Sequence, residues 1–286
     1  MNPSVLVTGV TGNVGGEIAK LLNEKRIPFK SAVRSTGGGP ELEYAQRTEF
    51  DLLRPATFAP ALAGVERLFL IRPPAIADPK YFEPLLEEAR RQGVKNIVFL
   101  SLLGAQTLFF VPHRKIEKRI LKSALPYTFL RPSFFTQNLN TTHLEEIRED
   151  RRIYVPAGKG RTSFIDVRDI AEVAVRALTE NGFENRAYDL TGSEALTYEE
   201  VAARMTEEWG IPISYANPSM GEFKAYWHSR GLPADQINVM AGIYFTAKIG
   251  FAKKVTPDLE RLLGRKPLSV SQYVRDYRAE FFPEPL

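Results

Sequence analysis

Glycines near the start of the chain have the spacing that holds a dinucleotide phosphate. The segment Thr8-Gly9-Val10-Thr11-Gly12-Asn13-Val14-Gly15 follows a short apolar run and opens a helical pattern. In such a strand–turn–helix Gly9 permits the turn, Gly12 lets a phosphate approach the backbone, and Gly15 lets the helix pack closely. The helix N-terminus then presents free N–H groups to the anion, although a glycine-rich turn without a ligand is the alternative. The expected cofactor contacts are Thr8, Gly9, Thr11, Gly12, Asn13, Val14 and Gly15.

The residues after the second and third strands bear on which dinucleotide binds. A site for NAD places an acid near the end of the second strand, about twenty residues after the glycines, whereas this chain has Arg34 and Ser35 there. Because a guanidinium pairs with a 2′-phosphate and an acid repels it, the sequence predicts NADP(H) in preference to NAD(H). Arg34 as a solvated loop cation is the alternative. Asp51, at the end of the third predicted strand, is a candidate to bond the adenine amino group or to cap the following segment.

Two further segments are expected to border the substrate, because ligands of open α/β sheets lie outside the carboxyl ends of the strands. One is the loop after the fourth strand, where Arg72 and Pro73 are also assigned to the cofactor. The other contains Phe134, Phe135 and Asn138, although the two phenylalanines could equally belong to a core. Arg131, just before this segment, could border the substrate or could equally be a structural ion-pair partner.

The elements that must position these residues alternate between strands and helices over the first half of the chain. This alternation is typical of βαβ units and a parallel sheet. The predicted strands are Ser4–Thr8, Phe29–Val33, Thr48–Asp51, Arg67–Ile71, Asn96–Ser101 and Tyr127–Arg131. The predicted helices between them are Asn13–Glu24, Pro55–Leu62, Lys80–Gln92 and Pro112–Ser123.

After Arg131 the alternation stops, which indicates a second domain. A helix at Asp166–Leu178 and a strand at Ala187–Leu190 return the chain to the main sheet, so the second domain is discontinuous. We expect a Rossmann-type, doubly wound α/β domain from residues 1–132 plus about 162–192. A smaller, mostly helical substrate domain takes about 133–161 plus 193–286. Its predicted helices run from Thr197, which opens a capping box with Glu200, to about Trp209, and over Met220–Ser229, Pro233–Phe245, Pro257–Leu263 and Val270–Phe281.

The composition of the 286-residue chain excludes several classes of protein. It has no cysteine, so it can form no disulfide and no Cys-ligated metal site, and its three histidines have no ligand spacing. Lys and Arg exceed Asp and Glu by only 38 to 34, which gives no support for direct nucleic-acid binding. No apolar run approaches the roughly 20 residues that span a bilayer. We expect a cytoplasmic protein without a signal peptide, a bound metal or a membrane segment.

Several segments together resemble the NmrA-like group of atypical short-chain dehydrogenases/reductases. They are TGVTGNVGG, AVRS, FLSLLGA, HRKIEKRILKSALPYTFLRPSFFTQN and FIDVRDIA, with GRKPLSVSQYVRDY near the end. The resemblance implies a Rossmann domain, a smaller substrate domain and NADP(H). It also implies either a reductase of quinones and dyes or a protein that only senses the cofactor and acts through a partner.

The catalytic residues of the wider superfamily are only partly present. Ser101 stands where such enzymes keep a catalytic serine, but the Tyr-x-x-x-Lys pair that supplies their proton is missing, and the next helix begins His113-Arg-Lys-Ile-Glu117. The resemblance places His113 where quinone-reductase-like members carry histidine. Near a helix N-terminus a neutral ring is favoured, so His113 could donate a hydrogen bond to a carbonyl oxygen, with Glu117 fixing its tautomer. His113 as a cap or packing residue is the alternative.

The sequence therefore predicts a reductase that passes hydride from NADPH to a quinone-like or conjugated carbonyl acceptor. A non-catalytic NADP(H) sensor is the second hypothesis. A small aromatic substrate is expected in the first case, and a protein partner or a homodimer is possible in both.

Overall fold

The computed structural model describes residues 4–35, 38–108 and 111–283. The strands are β1 Val5–Val7, β2 Phe29–Val33, β3 Ala45–Glu49, β4 Arg67–Ile71, β5 Asn96–Leu100, β6 Tyr127–Pro132, β7 Phe134–Phe135, β8 Arg152–Ile153, β9 Phe164–Ile165, β10 Arg186–Leu190 and β11 Ser214–Tyr215. The helices are α1 Asn13–Glu24, α2 Phe58–Leu62, α3 Glu83–Arg91, α4 Pro112–Lys122, α5 Leu144–Arg148, α6 Val167–Thr179, α7 Tyr198–Trp209, α8 Met220–Ser229, α9 Ala234–Lys248, α10 Asp258–Leu263, α11 Val270–Asp276 and α12 Arg278–Phe281. Short 3₁₀ helices cover Pro55–Thr57, Pro79–Phe82, Thr136–Asn138 and Phe251–Lys253.

The chain divides into two compact units. The first comprises Met1–Pro132 and Val167–Leu190, and the second Ser133–Asp166 and Thr191–Leu286. That the first binds the cofactor and the second the substrate stays a prediction.

The first unit is built on a parallel sheet with the strand order β10-β6-β5-β4-β1-β2-β3, seven strands in the described residues. The chain winds outward from β1 through β2 to β3, and then from β4 through β5 and β6 to β10. The order therefore reverses between β1 and β4, and the crevice at their carboxyl ends is where doubly wound folds bind ligands. Gly9 follows β1 and Arg72 follows β4, so both stand at this point. The predicted Rossmann-type fold is confirmed.

Helices cover both faces of this sheet, because alternate strand residues point to opposite sides. On one face the buried side chains of α2, α3 and α4 share a core with strand residues that include Leu6, Leu68 and Phe99. The buried stripe of α6, from Val167 to Leu178, packs with α1 against the sheet. Burial of apolar residues on both faces gives the first unit its stability.

The second unit is mostly helical and has its own aromatic core. Tyr198, Phe223, Tyr244 and Tyr273 are almost fully buried in it, together with aliphatic residues of α7, α9 and α11. Two short parallel pairings, β7 with β9 and β8 with β11, complete it. These two-residue strands carry no sequence signal long enough to show periodicity.

Some predicted element bounds need correction. The third strand ends at Glu49 rather than Asp51, because Asp51 already belongs to the turn that precedes the 3₁₀ helix. The last predicted helix, Val270–Phe281, is two separate helices, because the backbone of Tyr277 leaves the helical region between α11 and α12. In the described part of the chain no helix is long and apolar enough to cross a membrane.

Candidate cofactor and active site

The glycine-rich loop has the close backbone packing that a dinucleotide site needs. Gly9 has φ +69°, and a Cβ there would lie 2.6 Å from Ile71 Cγ2. A Cβ on Gly15 would collide with the carbonyl oxygen of Gly9, so the first turn of α1 can approach the loop only without a side chain. The Gly12 N–H donates to that same oxygen at 2.9 Å. Neither Gly9 nor Gly15 can therefore be replaced by a residue with a side chain without a clash.

Thr8 attaches the start of this loop to the neighbouring strand. Its hydroxyl donates to the carbonyl oxygen of Phe69 at 3.0 Å and accepts from the N–H of Ile71 at 3.0 Å. The side chain is buried, so the predicted role of Thr8 in cofactor binding would act through the position of Gly9.

The N-terminus of α1 is open to an anion. Thr11, Gly12 and Asn13 are exposed, whereas Val10 and Val14 are buried beneath them. The cap position, Gly12, has no side-chain hydrogen bond to the first N–H groups, and the first turn contains no acidic residue. Those N–H groups and the positive helix end are therefore available to a phosphate. The loop fits the pyrophosphate of a dinucleotide cofactor.

Arg34 and Ser35 directly follow β2 and are exposed, as a residue that binds a ribose phosphate should be. Arg54, which the sequence did not single out, lies beside them and donates to the carbonyl oxygen of Arg34 at 3.3 Å. Arg54 is also held by Glu49 and Asp51, at 2.5 and 3.3 Å. In the described part of the chain Arg34 has no such acidic partner.

Asp51 caps the segment that follows it, which was the alternative to the predicted contact with adenine. One carboxylate oxygen accepts from the Leu53 N–H at 2.9 Å and the other from Arg54 Nε. Both oxygens are thus used in the turn, which does not favour the predicted contact with adenine.

Arg72 holds the loop that follows β4. Its Nη1 donates to the carbonyl oxygens of Pro73, Pro74 and Ile76, at 3.0, 2.9 and 3.2 Å. Pro73 also accepts from the Ile76 N–H at 3.0 Å. The guanidinium is therefore fixed at the carboxyl end of β4, where the cofactor and substrate are predicted to lie.

His113 is the second residue of α4 and is half-buried. Its ring packs on Phe99 of β5, with centroids 6.2 Å apart. Burial and the charge of Arg72 lower the pKa of His113 to about 4, so the imidazole is neutral near pH 7. The predicted fixation of its tautomer by Glu117 is wrong, because both Glu117 oxygens have other partners.

Those partners are Ser101 and Arg131. The Ser101 hydroxyl donates to Glu117 Oε1 at 2.6 Å, and the Arg131 guanidinium donates to both oxygens at 2.9 and 2.8 Å. The Glu117 side chain is only 5% exposed. The proton of Ser101 is directed at Glu117, so its predicted catalytic role gains no support from this geometry, whereas the ion-pair alternative for Arg131 is confirmed.

The predicted substrate residues Phe134, Phe135 and Asn138 belong to the second unit and are half-buried. Phe134 packs edge-on to Phe164 at 6.1 Å and against Tyr244 at 5.7 Å. Asn138 ends a 3₁₀ helix and accepts from the His143 N–H at 3.0 Å. These contacts fix the residues on the aromatic core without testing whether a substrate reaches them.

Comparison with known proteins gives a consistent assignment. A family model described as NAD(P)H-binding matches residues 9–181. The NAD(P)H azoreductase of Xenophilus azovorans is 32% identical over 97% of this chain and 99% of its own length. Among solved structures, triphenylmethane reductase from Citrobacter has a TM-score of 0.85 at 27% identity, covering 96% of this chain and 98% of its own. NADPH-dependent quinone oxidoreductase QOR2 from Escherichia coli has a TM-score of 0.81 at 26% identity, covering 96% and 99%.

The chain belongs to the NmrA-like, NAD(P)H-binding family. NmrA, described as a negative transcriptional regulator, shares the fold at 14% identity, which shows the fold alone. The named relatives establish this NmrA-like chain as an NAD(P)H-dependent reductase.

The sequence did not indicate the buried Ser101–Glu117–Arg131 network, because a serine, a glutamate and an arginine spread over thirty residues have no recognisable spacing. The described residues contain no cluster of three or more metal-ligating side chains.

Proposed function

We propose that this reductase transfers hydride from NADPH, in preference to NADH, to a flat, electron-poor acceptor such as a quinone or a conjugated carbonyl. The observation that carries the proposal is the neutral His113 at the start of α4, where the superfamily's Tyr-x-x-x-Lys pair is missing. Such acceptors need little acid help, since reduction of their conjugated system is itself favourable. The relatives named for azo dyes, triphenylmethane dyes and quinones reduce acceptors of this kind.

When bound, NADPH supplies the hydride, and the acceptor takes up one proton from solvent to become the reduced product, leaving NADP⁺. The chain's own part is to bind, orient and polarise. The loop from Gly9 to Gly15 holds the pyrophosphate at the N-terminus of α1. His113 donates one hydrogen bond to a carbonyl oxygen as negative charge develops there.

The preference for NADPH rests on Arg34. Its exposed guanidinium follows β2, and its carbonyl oxygen is held by Arg54. A guanidinium can bind the 2′-phosphate through two hydrogen bonds, and NADH offers no such group. Replacing Arg34 by Ala should weaken NADPH binding by about 1.5–3 kcal/mol, as for a charge-assisted hydrogen bond, and change NADH binding little. Arg90→Ala on the surface of α3 is the matched control, and equal losses for both cofactors would contradict the assignment.

The reductase itself is tested by following NADPH oxidation with a panel of quinones, dyes and conjugated carbonyls. We expect acceptor-dependent loss of NADPH, with His113→Leu, which removes the donor, lowering kcat about tenfold, the value of one hydrogen bond in the transition state. Lys115→Ala, an exposed residue on the same helix, should leave kcat unchanged. A protein that binds NADPH but oxidises it with no acceptor in the panel would disprove the proposal and favour the sensor.

A further inference from the structure

Helix α9 is apolar on the side that faces solvent as well as on the side that faces the core. Its buried side is formed by Ile237, Ala241, Tyr244 and Ala247. The opposite side of such a helix normally carries charged and polar residues. From its second turn onward, however, α9 and its cap residue expose four large apolar side chains to between 41% and 62%, namely Val239, Ile243, Phe245 and Ile249.

These apolar side chains form one continuous surface. Val239 and Ile243 are one helical turn apart, and so are Phe245 and Ile249, so the members of each pair are neighbours on the helix. After Ile249 the chain turns at Gly250, which has φ +85°. Phe251 follows and is 72% exposed, and Val255 is 45% exposed. We call these six residues the α9 surface.

Lysines without acidic partners border the α9 surface at the C-terminal end of the helix. Lys248 and Lys253 are exposed there. The loop before β9 packs on the same end, since a Cβ on Gly160 would collide with the carbonyl oxygen of Ala247. This loop contributes the exposed Lys159. In the described ranges none of the three lysines pairs with a carboxylate, and residues 236–257 contain no Asp or Glu.

We propose that the α9 surface docks on an anionic lipid bilayer, with its apolar side chains at the level of the headgroups and its lysines next to the lipid phosphates. Apolar side chains gain free energy by leaving water, and lysines gain it by approaching a negatively charged leaflet. A helix that combines both lies in the plane of the membrane surface and does not cross it. The partner is therefore identified by two features of the surface, its exposed apolar area and its unpaired positive charge.

A second copy of the chain fits this surface less well. In a two-fold symmetric dimer the surface would meet itself, which brings the unpaired lysines of both copies together. Residues 236–257 offer no carboxylate to neutralise them. The outside of a helix is also convex, so a folded partner would need a matching groove. Lipid can instead deform around a projecting side chain such as Phe251.

One consequence for the substrate rests on the proposed function. A reductase held at a bilayer meets acceptors that are dissolved in the lipid, and a quinone with a long apolar side chain is concentrated there. The α9 surface would then favour this class of quinone over water-soluble ones by location, without contacting the reacting ring.

The test is co-sedimentation of the full chain with vesicles, measured without cofactor or acceptor. Vesicles of phosphatidylcholine and phosphatidylglycerol are compared with vesicles of phosphatidylcholine alone. We expect the protein to bind the anionic vesicles at least about tenfold more tightly, and added salt to weaken this binding. Phe251→Ser should weaken it at least about tenfold, the value of burying one aromatic side chain. Lys253→Gln should weaken it about fivefold.

Leu121→Ser and Lys122→Gln are the matched controls. Leu121 is 49% exposed and Lys122 is exposed beside it, both on α4 of the first unit, so these variants remove the same types of side chain elsewhere. They should bind anionic vesicles like the unsubstituted protein. All four substituted side chains lie on the surface, so the variants should fold.

Three results would overturn the proposal. They are binding to neither kind of vesicle, equal binding to both kinds, and losses that are the same for the α9 and α4 variants. Sedimentation velocity without vesicles adds a fourth, since a dimer that Phe251→Ser converts to a monomer would assign the α9 surface to a second copy. Vesicle binding needs no turnover, so a reductase assay that fails leaves its result intact, and the two proposals fail separately.

Discussion

The Arg131 guanidinium clamps the Glu117 carboxylate with two hydrogen bonds, 2.9 Å from Nε to Oε1 and 2.8 Å from Nη2 to Oε2. Arg131 belongs to β6 and Glu117 to α4, so the pair joins the helix that begins with Pro112 and His113 to the sheet beneath it. With the Ser101 hydroxyl as a third contact, the carboxylate is satisfied although it is buried. Such a network fixes where α4 lies on the strand ends.

Removing one member of this pair should destabilise the protein strongly. Glu117→Ala leaves a mostly buried guanidinium without its partner, which typically costs about 3–5 kcal/mol. Urea unfolding measures the free energy of unfolding, and Glu87→Ala, exposed on α3, is the control. The double variant Glu117→Leu/Arg131→Leu should lose less than the sum of the two single ones. A loss no larger than that of Glu87→Ala would show that the pair does not fix α4.

Gly12 offers a way to separate cofactor binding from folding. A Cβ there would lie 3.5 Å from the Gly9 carbonyl oxygen, an ordinary contact, and its φ of −104° suits any residue. Gly12→Ala should therefore fold normally but place a methyl group where the pyrophosphate approaches, weakening NADPH binding at least about tenfold. Fluorescence titration with NADPH measures this. Gly16→Ala, whose Cβ would lie 3.4 Å from the Val10 carbonyl oxygen, is the control and should bind normally. Equal affinities would place the phosphate elsewhere.

The sequence predicted the residues that act through local backbone geometry. It did not predict contacts between side chains that are far apart in the chain. The roles of Gly9 and Gly15 follow from local geometry: the structure gives Gly9 the positive φ of the expected turn and Gly15 the expected close packing of the helix on the loop. The β1, β2, β4 and β5 strands follow from apolar runs that a parallel sheet buries on both faces. The capping box at Thr197 and Glu200, written in four consecutive residues, is confirmed.

The contacts that the sequence did not reveal are those between residues far apart in the chain. Ser101, Glu117 and Arg131 meet only because β5, α4 and β6 are neighbours. Asp51 looked like a strand-end ligand, yet its nearest donors are the Leu53 N–H and the Arg54 side chain, so local turn formation determines its position. Arg72 was expected to face a ligand, but its Nη1 donates to three backbone carbonyl oxygens of its own loop.

The low pKa of His113 should make stability depend on pH. Burial and the charge of Arg72 lower this pKa from 6.5 to about 4, so between these values the unfolded chain binds a proton that the folded protein does not. Stability contributed by the neutral ring is therefore complete above pH 6.5 and falls as the pH drops toward 4, by about 3 kcal/mol in total. Urea unfolding at pH 7 and pH 4.5 measures the difference. His113→Gln should reduce it, while His228→Gln should not; equal pH dependence in both variants would contradict a buried neutral His113.

Thr8 should couple the stability of the sheet to cofactor binding. Its hydroxyl accepts from the Ile71 N–H and donates to the Phe69 carbonyl oxygen. Thr8→Val therefore leaves the Ile71 N–H unpaired at nearly constant volume, whereas the Phe69 carbonyl oxygen still accepts from the Thr8 backbone N–H. We expect a loss of about 1–3 kcal/mol in the free energy of unfolding, together with weaker NADPH binding because Gly9 is no longer held against β4. Thr128→Val is the matched control, since Thr128 is fully buried in β6 and bonds Asn96 and Phe183 away from the loop. It should lose similar stability and keep its affinity. If Thr8→Val also keeps full affinity, the hydroxyl supports the sheet but does not position the phosphate loop.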